Sequence, residues 1–198
     1  MKSKECCIVV IGDNNVLHYG LFSLIHTACR KRNLTVLSCG NGLKFSSHAA
    51  NRYPGRYHLA VICLGYDDFF PDWFSLFLTL VRKTNGNVLV FSDSQALLDS
   101  RKRNLLNRVC DMEYVLDVSM PVSCISFVLK RYLDRKPSDR ENCRITLREH
   151  AVIDGFLNGT DVSHHCSALG IQTRTLYQHR KNCANKLGVR NLKDLLRL

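Results

Sequence analysis

Short apolar runs alternate with helix-length segments over the first two thirds of the chain. Five such runs, rich in Val, Ile and Leu, lie between residues 7 and 118 and read CIVVIGD, LTVLSC, LAVICLG, NVLVFSD and EYVLDV. Uninterrupted apolar runs of this length are typical of parallel strands that are covered on both faces. The pattern therefore predicts an α/β domain with a five-stranded parallel sheet.

The strand pattern ends at a polar segment, RKPSDRENCR, over residues 135–144. This segment contains Pro137 and has no apolar periodicity, so we interpret it as a linker between domains at residues 1–134 and 145–198. Capping residues and glycines beyond it predict an all-α domain of four helices. A capping box of Thr146 and Glu149 opens the first, Asp161 and Thr173 cap the next two, and the last covers Leu192 to Leu198.

Positive charge is in excess and is densest at the carboxyl end. The chain has 28 Lys and Arg against 17 Asp and Glu, a formal charge of +11, and residues 140–198 hold 10 of the basic and 5 of the acidic side chains. Such an excess favours an acidic partner, and nucleic acid before a membrane.

The ten cysteines contain no CxxC pair and several lie in apolar runs, which predicts reduced, mostly buried thiols and no metal site. No motif of a known enzyme class is present, no cofactor is implied, and no apolar run reaches the roughly 20 residues of a membrane span. We expect a cytoplasmic protein that is not an enzyme.

The third predicted helix separates into two faces at about 100° per residue. Leu176, Cys183 and Leu187 form an apolar stripe, and the opposite face carries Arg174, Tyr177, Gln178, Lys181 and Asn185. Side chains of these polar types can read base edges in the major groove and bind phosphates.

With the preceding short helix and the Gly170 turn, this segment predicts a helix-turn-helix. Tyr177, Gln178 and Lys181 are expected to enter the major groove, while Thr173, Arg174 and Arg180 contact phosphates. The alternative is an ordinary solvated face, but such faces usually include acids, and residues 173–190 contain none.

Several short motifs lie in residues 145–191. They are a Thr146-Leu147-Arg148-Glu149 opening, the Asn158-Gly159 turn, the Leu169-Gly170-Ile171 turn, Thr175-Leu176-x-x-His179 and Lys186-Leu187-Gly188-Val189. Together they resemble the LuxR/FixJ/NarL-type DNA-binding domain of bacterial transcription regulators, and the resemblance covers nearly all of that domain. His165 departs from the family, which usually buries an aliphatic side chain there, so either the helix is rotated locally or the imidazole has a partner.

Residues 6–133 resemble, more weakly, the receiver domain of two-component response regulators, which has a flavodoxin-like fold. The resemblance implies a pocket that holds Mg²⁺ and a phosphoaspartate. Here the acid pair becomes Gly12-Asp13, the phosphoacceptor becomes Cys63, Ser92 is retained, and the sensing Lys becomes Asp117. The resemblance therefore implies a degenerate receiver that is not phosphorylated conventionally, similar in plan to auxiliary regulators of the RcsA/BglJ kind.

Three functions remain open on these grounds. The first is a DNA-binding regulator that acts as a homodimer or as a heterodimer with a response regulator. The second is an interaction module that modulates another response regulator and has little DNA affinity of its own. The third is a regulator controlled by oxidation of Cys63, whose alternative role is a small buried apolar side chain.

One aromatic cluster also has two readings. Phe69, Phe70, Trp73, Phe74 and Phe77 exceed what a single amphipathic helix needs for its core. They predict either an exposed partner surface or, more commonly, a helix that is buried in the core.

Overall fold

Each of the five predicted apolar runs forms all or most of a strand. A computed structural model describes residues 7–12, 16–30, 32, 34–39, 57–64, 70–92, 99–110, 112–135 and 144–198. Its strands are β1 (Cys7–Ile11), β2 (Thr35–Cys39), β3 (Tyr57–Leu64), β4 (Val88–Ser92) and β5 (Val115–Asp117). All neighbouring strands pair in parallel, in the order β2-β1-β3-β4-β5, which confirms the predicted flavodoxin-like sheet.

Helices cover both faces of this sheet. Their bounds are α1 (Val16–Arg30), α2 (Phe70–Lys83), α3 (Ser100–Val109) and α4 (Val122–Leu133). Successive strand residues point to opposite faces, so Ile8 and Val10 pack on the side of α1 and α4. Val9 and Ile11 pack on the other side, with α2 and α3.

Residues 144–198 form a helical region, as predicted. It consists of α5 (Leu147–Leu157), α6 (Val162–Leu169), α7 (Thr173–Leu187) and a 3₁₀ helix (Leu192–Arg197). The fourth element is thus a 3₁₀ helix, and Asn191 and Asp194 form a capping box at its start. α6 and α7 end at Gly170 and Gly188, whose φ angles of 62° and 70° lie in the left-handed region that favours glycine.

The caps of α5 and α6 are those predicted, and the cap of α7 is not. Thr146 and Glu149 form the reciprocal capping box of α5, and Asp161 accepts hydrogen bonds from two backbone N–H groups of α6. Thr173 does not cap α7. The cap is Gln172, which makes no side-chain capping bond, and Thr173 is the first helical residue.

Helix α2 is buried on two sides, and this accounts for its aromatic density. Trp73, Phe74 and Phe77 are buried, so the core interpretation holds for these three residues. Phe69 and the side chain of Phe70 lie outside the described residues. One apolar cluster runs from the sheet through α2 into α5, α7 and the 3₁₀ helix, so α2 needs apolar side chains on more than one face.

Polar contacts join α2 to α5 within the same interface. The Ser75 hydroxyl donates a hydrogen bond to the Asp154 carboxylate. Thr79 Oγ1 and His150 Nε2 are 3.1 Å apart. Burial lowers the pKa of His150 below its ordinary value, and nearby Arg82 acts in the same direction, against the opposing effect of Asp154. His150 is therefore neutral at pH 7.

The described cysteines are thiols, and most are buried as expected. Cys29, Cys110, Cys166 and Cys183 are buried, and Cys124 is exposed. Burial raises the pKa of Cys183 to about 12, with the Glu149 charge adding to the effect. In the part of the chain that the structure describes, no helix has the length and apolar character needed to cross a membrane.

Candidate nucleic-acid interface

Helix α7 divides its residues between core and surface as predicted. Leu176, Cys183 and Leu187 are buried, together with Ala184. The opposite face is open to solvent, and Tyr177 is 54% exposed there. The other predicted contact residues that are exposed are Thr173, Arg174, Gln178, Lys181 and Asn185.

The exposed face of α7 is basic. Neither Arg174 nor Lys181 forms an ion pair with any residue that the structure describes. Gln178 Nε2 donates to Asn182 Oδ1 at 3.0 Å, which orients both amides along the surface of the helix. A helix that presents only neutral and cationic donors suits a polyanionic ligand with hydrogen-bond acceptors.

Arg180 differs from the other predicted contact residues, because it is half-buried. Its guanidinium lies over the ring of Phe156 on α5 at 5.1 Å, and over the ring of Tyr177 at 5.6 Å. Its Nε is buried without a hydrogen-bond partner among the described residues. The geometry places Arg180 between the core helix and Tyr177, where cation–π contacts hold that tyrosine at the surface.

Helix α6 is held against α5 by an unusual pair of residues. His165, the departure from the family pattern, is 4% exposed, and its Nε2 lies 3.2 Å from the Ala151 carbonyl oxygen. Its ring faces Gly155, where an added Cβ would meet the imidazole at 2.5 Å. The imidazole thus has a partner, and a residue without a side chain makes room for it.

A buried carboxylate anchors the start of α5 to α7. Lys186 Nζ lies 2.8 Å from Glu149 Oε2, which also accepts from the Thr146 N–H at 2.9 Å. Burial alone would raise the pKa of Glu149, but the hydrogen bonds from Lys186 and Thr146 outweigh it and hold the pKa below its ordinary value. Lys186 therefore points toward α5 and not toward the outward face of α7.

Gly12, one of the residues that the resemblance assigns to a receiver pocket, lies at the carboxyl edge of the sheet and has no space for a side chain. A Cβ on Gly12 would lie 2.6 Å from Cys63 Cβ and 3.0 Å from His18 Nδ1. His18 is fully buried, with Nε2 2.9 Å from Ser38 Oγ. Cys63 is half-buried and packs beside the core on the α1 side, and Asp13 lies outside the described residues.

The two remaining pocket positions end neighbouring strands. Ser92 and Asp117 are the last residues of β4 and β5, pair in register, and are buried. Asp117 Oδ1 accepts from the backbone N–H and the hydroxyl of Ser119, both at 2.7 Å. This side chain therefore closes a turn at the carboxyl edge of the sheet.

Sequence reasoning missed three elements of this arrangement: the inward Lys186–Glu149 pair, the stacking of Arg180, and the fit of His165 against Gly155. The Lys186–Glu149 pair and the His165–Gly155 pair join residues on different helices. At about 100° per residue Arg180 lies about 20° from Leu187, beside the apolar stripe, so the helical wheel already indicates its inward position. Only its contact with Phe156 depends on another helix.

Comparison of the sequence with protein-family models and with curated proteins finds no match. Comparison with solved structures finds full-length FixJ from B. japonicum, at TM-score 0.47 and 14% identity over 98% of this chain and 96% of that one. The response regulator StyR is similar at TM-score 0.44 and 16% identity, over 98% and 97%. RcsB from Salmonella enterica serovar Typhimurium, bound to promoter P1flhDC, is similar at TM-score 0.43 and 15% identity, over 98% and 97%.

Proposed function

We propose that the chain is a sequence-specific DNA-binding transcription regulator of the LuxR/FixJ/NarL type that acts without phosphorylation of a receiver aspartate. The observation that carries this proposal is the outward face of α7, which exposes Arg174, Tyr177, Gln178 and Lys181 without a single acid. In the proposed complex Tyr177, Gln178 and Lys181 contact base edges, and Thr173, Arg174 and Asn185 lie at the margin of the groove. Arg180 positions Tyr177.

Independence from phosphorylation is supported by the carboxyl edge of the sheet. Gly12 is enclosed by Cys63 and His18, and the resemblance aligns the buried Asp117 with the lysine of a receiver. In this proposal residues 1–134 form a degenerate receiver-like domain, residues 135–144 a linker and residues 145–198 the DNA-binding domain. The receiver-like domain serves assembly, as a homodimer or with a response regulator, on two half-sites of DNA.

The proposal is tested by binding of the purified chain to genomic DNA fragments across a salt series, alone and with candidate response regulators. Specific binding should weaken steeply with salt, because it releases counterions from DNA. Lys181→Ala should weaken binding, and Gln178→Ala should relax base choice by about 1–3 kcal/mol. Equal binding of both variants and the wild type to specific DNA would contradict the proposal.

A second candidate is an interaction module with little DNA affinity of its own. Exposed apolar side chains on α4, Val122 and Phe127, favour this candidate, because they offer a surface to another protein. Specific DNA binding that occurs only with a partner regulator would support it. Size-exclusion chromatography separates the cases further, since a stable homodimer favours autonomous binding and a monomer favours a required partner.

A further inference from the structure

Helix α3 of the sheet region is basic and contains no acid. Its sequence is SRKRNLLNRV, and the one acidic residue beside it, Asp99, caps its first turn by accepting from the Lys102 N–H. By sequence alone, the cations Arg101, Lys102 and Arg103 are most simply a solvated charge run, and contact with DNA or with an acidic partner is the alternative. In the structure, however, α3 packs against α7, the helix proposed to read DNA.

The cations of α3 lie on two different flanks of the helix. At about 100° per residue, Arg101 and Arg108 are only about 20° apart, whereas Arg103 lies on the opposite flank. The side chain of Arg108 lies against Gly188, the residue that ends α7, so closely that a Cβ there would collide with it. The flank with Arg101 and Arg108 therefore faces the end of α7. The face between the two flanks is buried and consists of Leu105, Leu106 and Val109.

Hydrogen bonds hold α3 in this place. The Arg144 N–H donates to the Val109 carbonyl at 2.9 Å, and Arg144 Nη1 donates to the Asn107 carbonyl at 3.1 Å. Lys186 Nζ on α7 in turn donates to the Arg144 carbonyl at 3.4 Å. The last turn of α3 is thus linked through Arg144, which lies just before α5, to Lys186 on α7.

This contact leaves the outward face of α7 open. Tyr177 and Lys181 are exposed with α3 in position, and so are Arg101 and Arg108. The cations of α3 thus extend the positive surface of α7 beyond its carboxyl end.

We propose that α3 is a second DNA-contacting element, in which Arg101 and Arg108 bind phosphates that flank the base pairs read by α7. This inference rests on the proposed DNA-reading role of α7. Guanidinium groups suit the ligand, because they bind phosphate oxygens through two parallel N–H donors. Phosphate contacts of this kind add affinity and fix register, and they carry no base specificity.

The test uses the full chain and a DNA fragment that the wild type selects from genomic DNA, measured by fluorescence anisotropy at several salt concentrations. The variants are Arg101→Gln, Arg108→Gln and the double variant. Arg103→Gln is the matched control on the opposite flank of α3, and Lys130→Gln on α4 is a control on the other side of the sheet. Arg101→Gln tests the proposal even if the loss of Arg108 loosens the contact with Gly188.

The slope of log affinity against log salt should fall by about one for each single variant and by about two for the double variant. Between about 50 and 200 mM salt, the advantage of the wild type over the double variant should therefore shrink about tenfold. Lengthening the duplex on both sides of the selected sequence should strengthen binding of the wild type and not of the double variant. Both controls should follow the wild type.

An unchanged slope in the double variant would overturn this inference and leave the proposed function intact, provided that Lys181→Ala still weakens binding. Tighter binding by the double variant would also overturn it, because α3 would then obstruct DNA. Absence of specific binding by the wild type, alone and with a partner regulator, would instead remove the proposed function on which the inference rests.

Discussion

The two helical layers that cover the sheet differ in what lies outside them. α2 contacts the sheet on its inner side and α5 on its outer side, and its apolar side chains are buried almost without exception. α4 contacts the other face of the sheet, and Phe127 on its outer side is 64% exposed. Both helices are rich in apolar residues, but of the two only α2 is covered by a second layer among the residues that the structure describes. A high apolar content therefore does not by itself distinguish a helix that packs on two sides from one that exposes apolar side chains.

The largest expected effect is a loss of stability when phenylalanine is replaced by alanine on α2, and the same substitution on α4 should have little effect. Phe77→Ala on α2 should destabilise the chain by about 3–5 kcal/mol, because Phe77 is fully buried and leaves a cavity between the sheet and the neighbouring Trp73. Phe127→Ala on α4 should change stability by less than about 0.5 kcal/mol. Urea unfolding followed by circular dichroism measures both. Equal losses in the two variants would mean that another surface covers α4 in solution.

The sheet was predictable from the sequence because each strand is a local signal. Every strand of the described sheet overlaps one of the apolar runs, although β3 begins two residues before its run, and the caps at Thr146 and Asp161 lie where their side chains predict them. The Thr173 cap was wrong by one residue because Gln172 takes the extended cap conformation without using its side chain. A capping signal in sequence identifies the turn and not the exact residue.

The covering of α2 was not predictable, because it depends on residues far apart in the chain. Ser75 contacts Asp154, and Thr79 contacts His150, across more than seventy positions. Because these contacts cannot be seen in the sequence, the aromatic cluster of α2 allowed two interpretations, an exposed partner surface or a buried helix. The exposed face of α7 was predictable since it follows from helical periodicity alone, and so does the inward position of Arg180, about 20° from Leu187 on the helical wheel. Its partner Phe156 was not predictable, because that ring lies on another helix.

The helices that cover α2 depend on the close packing of His165 on α6 against Gly155 on α5. Alanine usually stabilises a helix relative to glycine by about 1 kcal/mol, yet Gly155→Ala should destabilise this chain by about 1–2 kcal/mol. The reason is the His165 imidazole, 2.5 Å from the added Cβ. Thermal and urea unfolding measure the change.

A double variant shows whether the clash is the cause. In Gly155→Ala/His165→Val the smaller side chain leaves room for the new methyl group, so the two losses should be less than additive by about 0.5 kcal/mol or more. Strict additivity would mean that the glycine is required for a different reason.

A smaller effect is expected at the first turn of α5. Glu149→Gln should cost about 1 kcal/mol at pH 7, because it weakens a capping box and the bond from Lys186. The pKa of Glu149 is lower in the folded chain than in the unfolded chain. Its contribution to the free energy of unfolding is therefore complete above the ordinary glutamate pKa of about 4.3 and is lost as the pH falls through the pKa of the folded chain. The difference in free energy of unfolding between wild type and Glu149→Gln should therefore disappear at acid pH. Glu113→Gln, at an exposed ion pair, is the control and should cost less than the buried pair.

The smallest expected effect lies between α2 and α5, at His150. Because its pKa is lowered in the folded chain, protonation favours the unfolded chain, and stability should fall as the pH drops below the ordinary histidine value of about 6.5. His150→Gln should cost only about 0.5 kcal/mol at pH 7, since an amide can also hydrogen-bond Thr79, and it should flatten the pH dependence between about pH 7 and 5. The single tryptophan, Trp73, is buried on α2 and reports this through its emission maximum. An equally steep pH dependence in the variant would mean that a group other than His150 causes the loss of stability in acid. The side of the sheet covered by α2 and α5 would then be no more sensitive to pH than the side covered by α4.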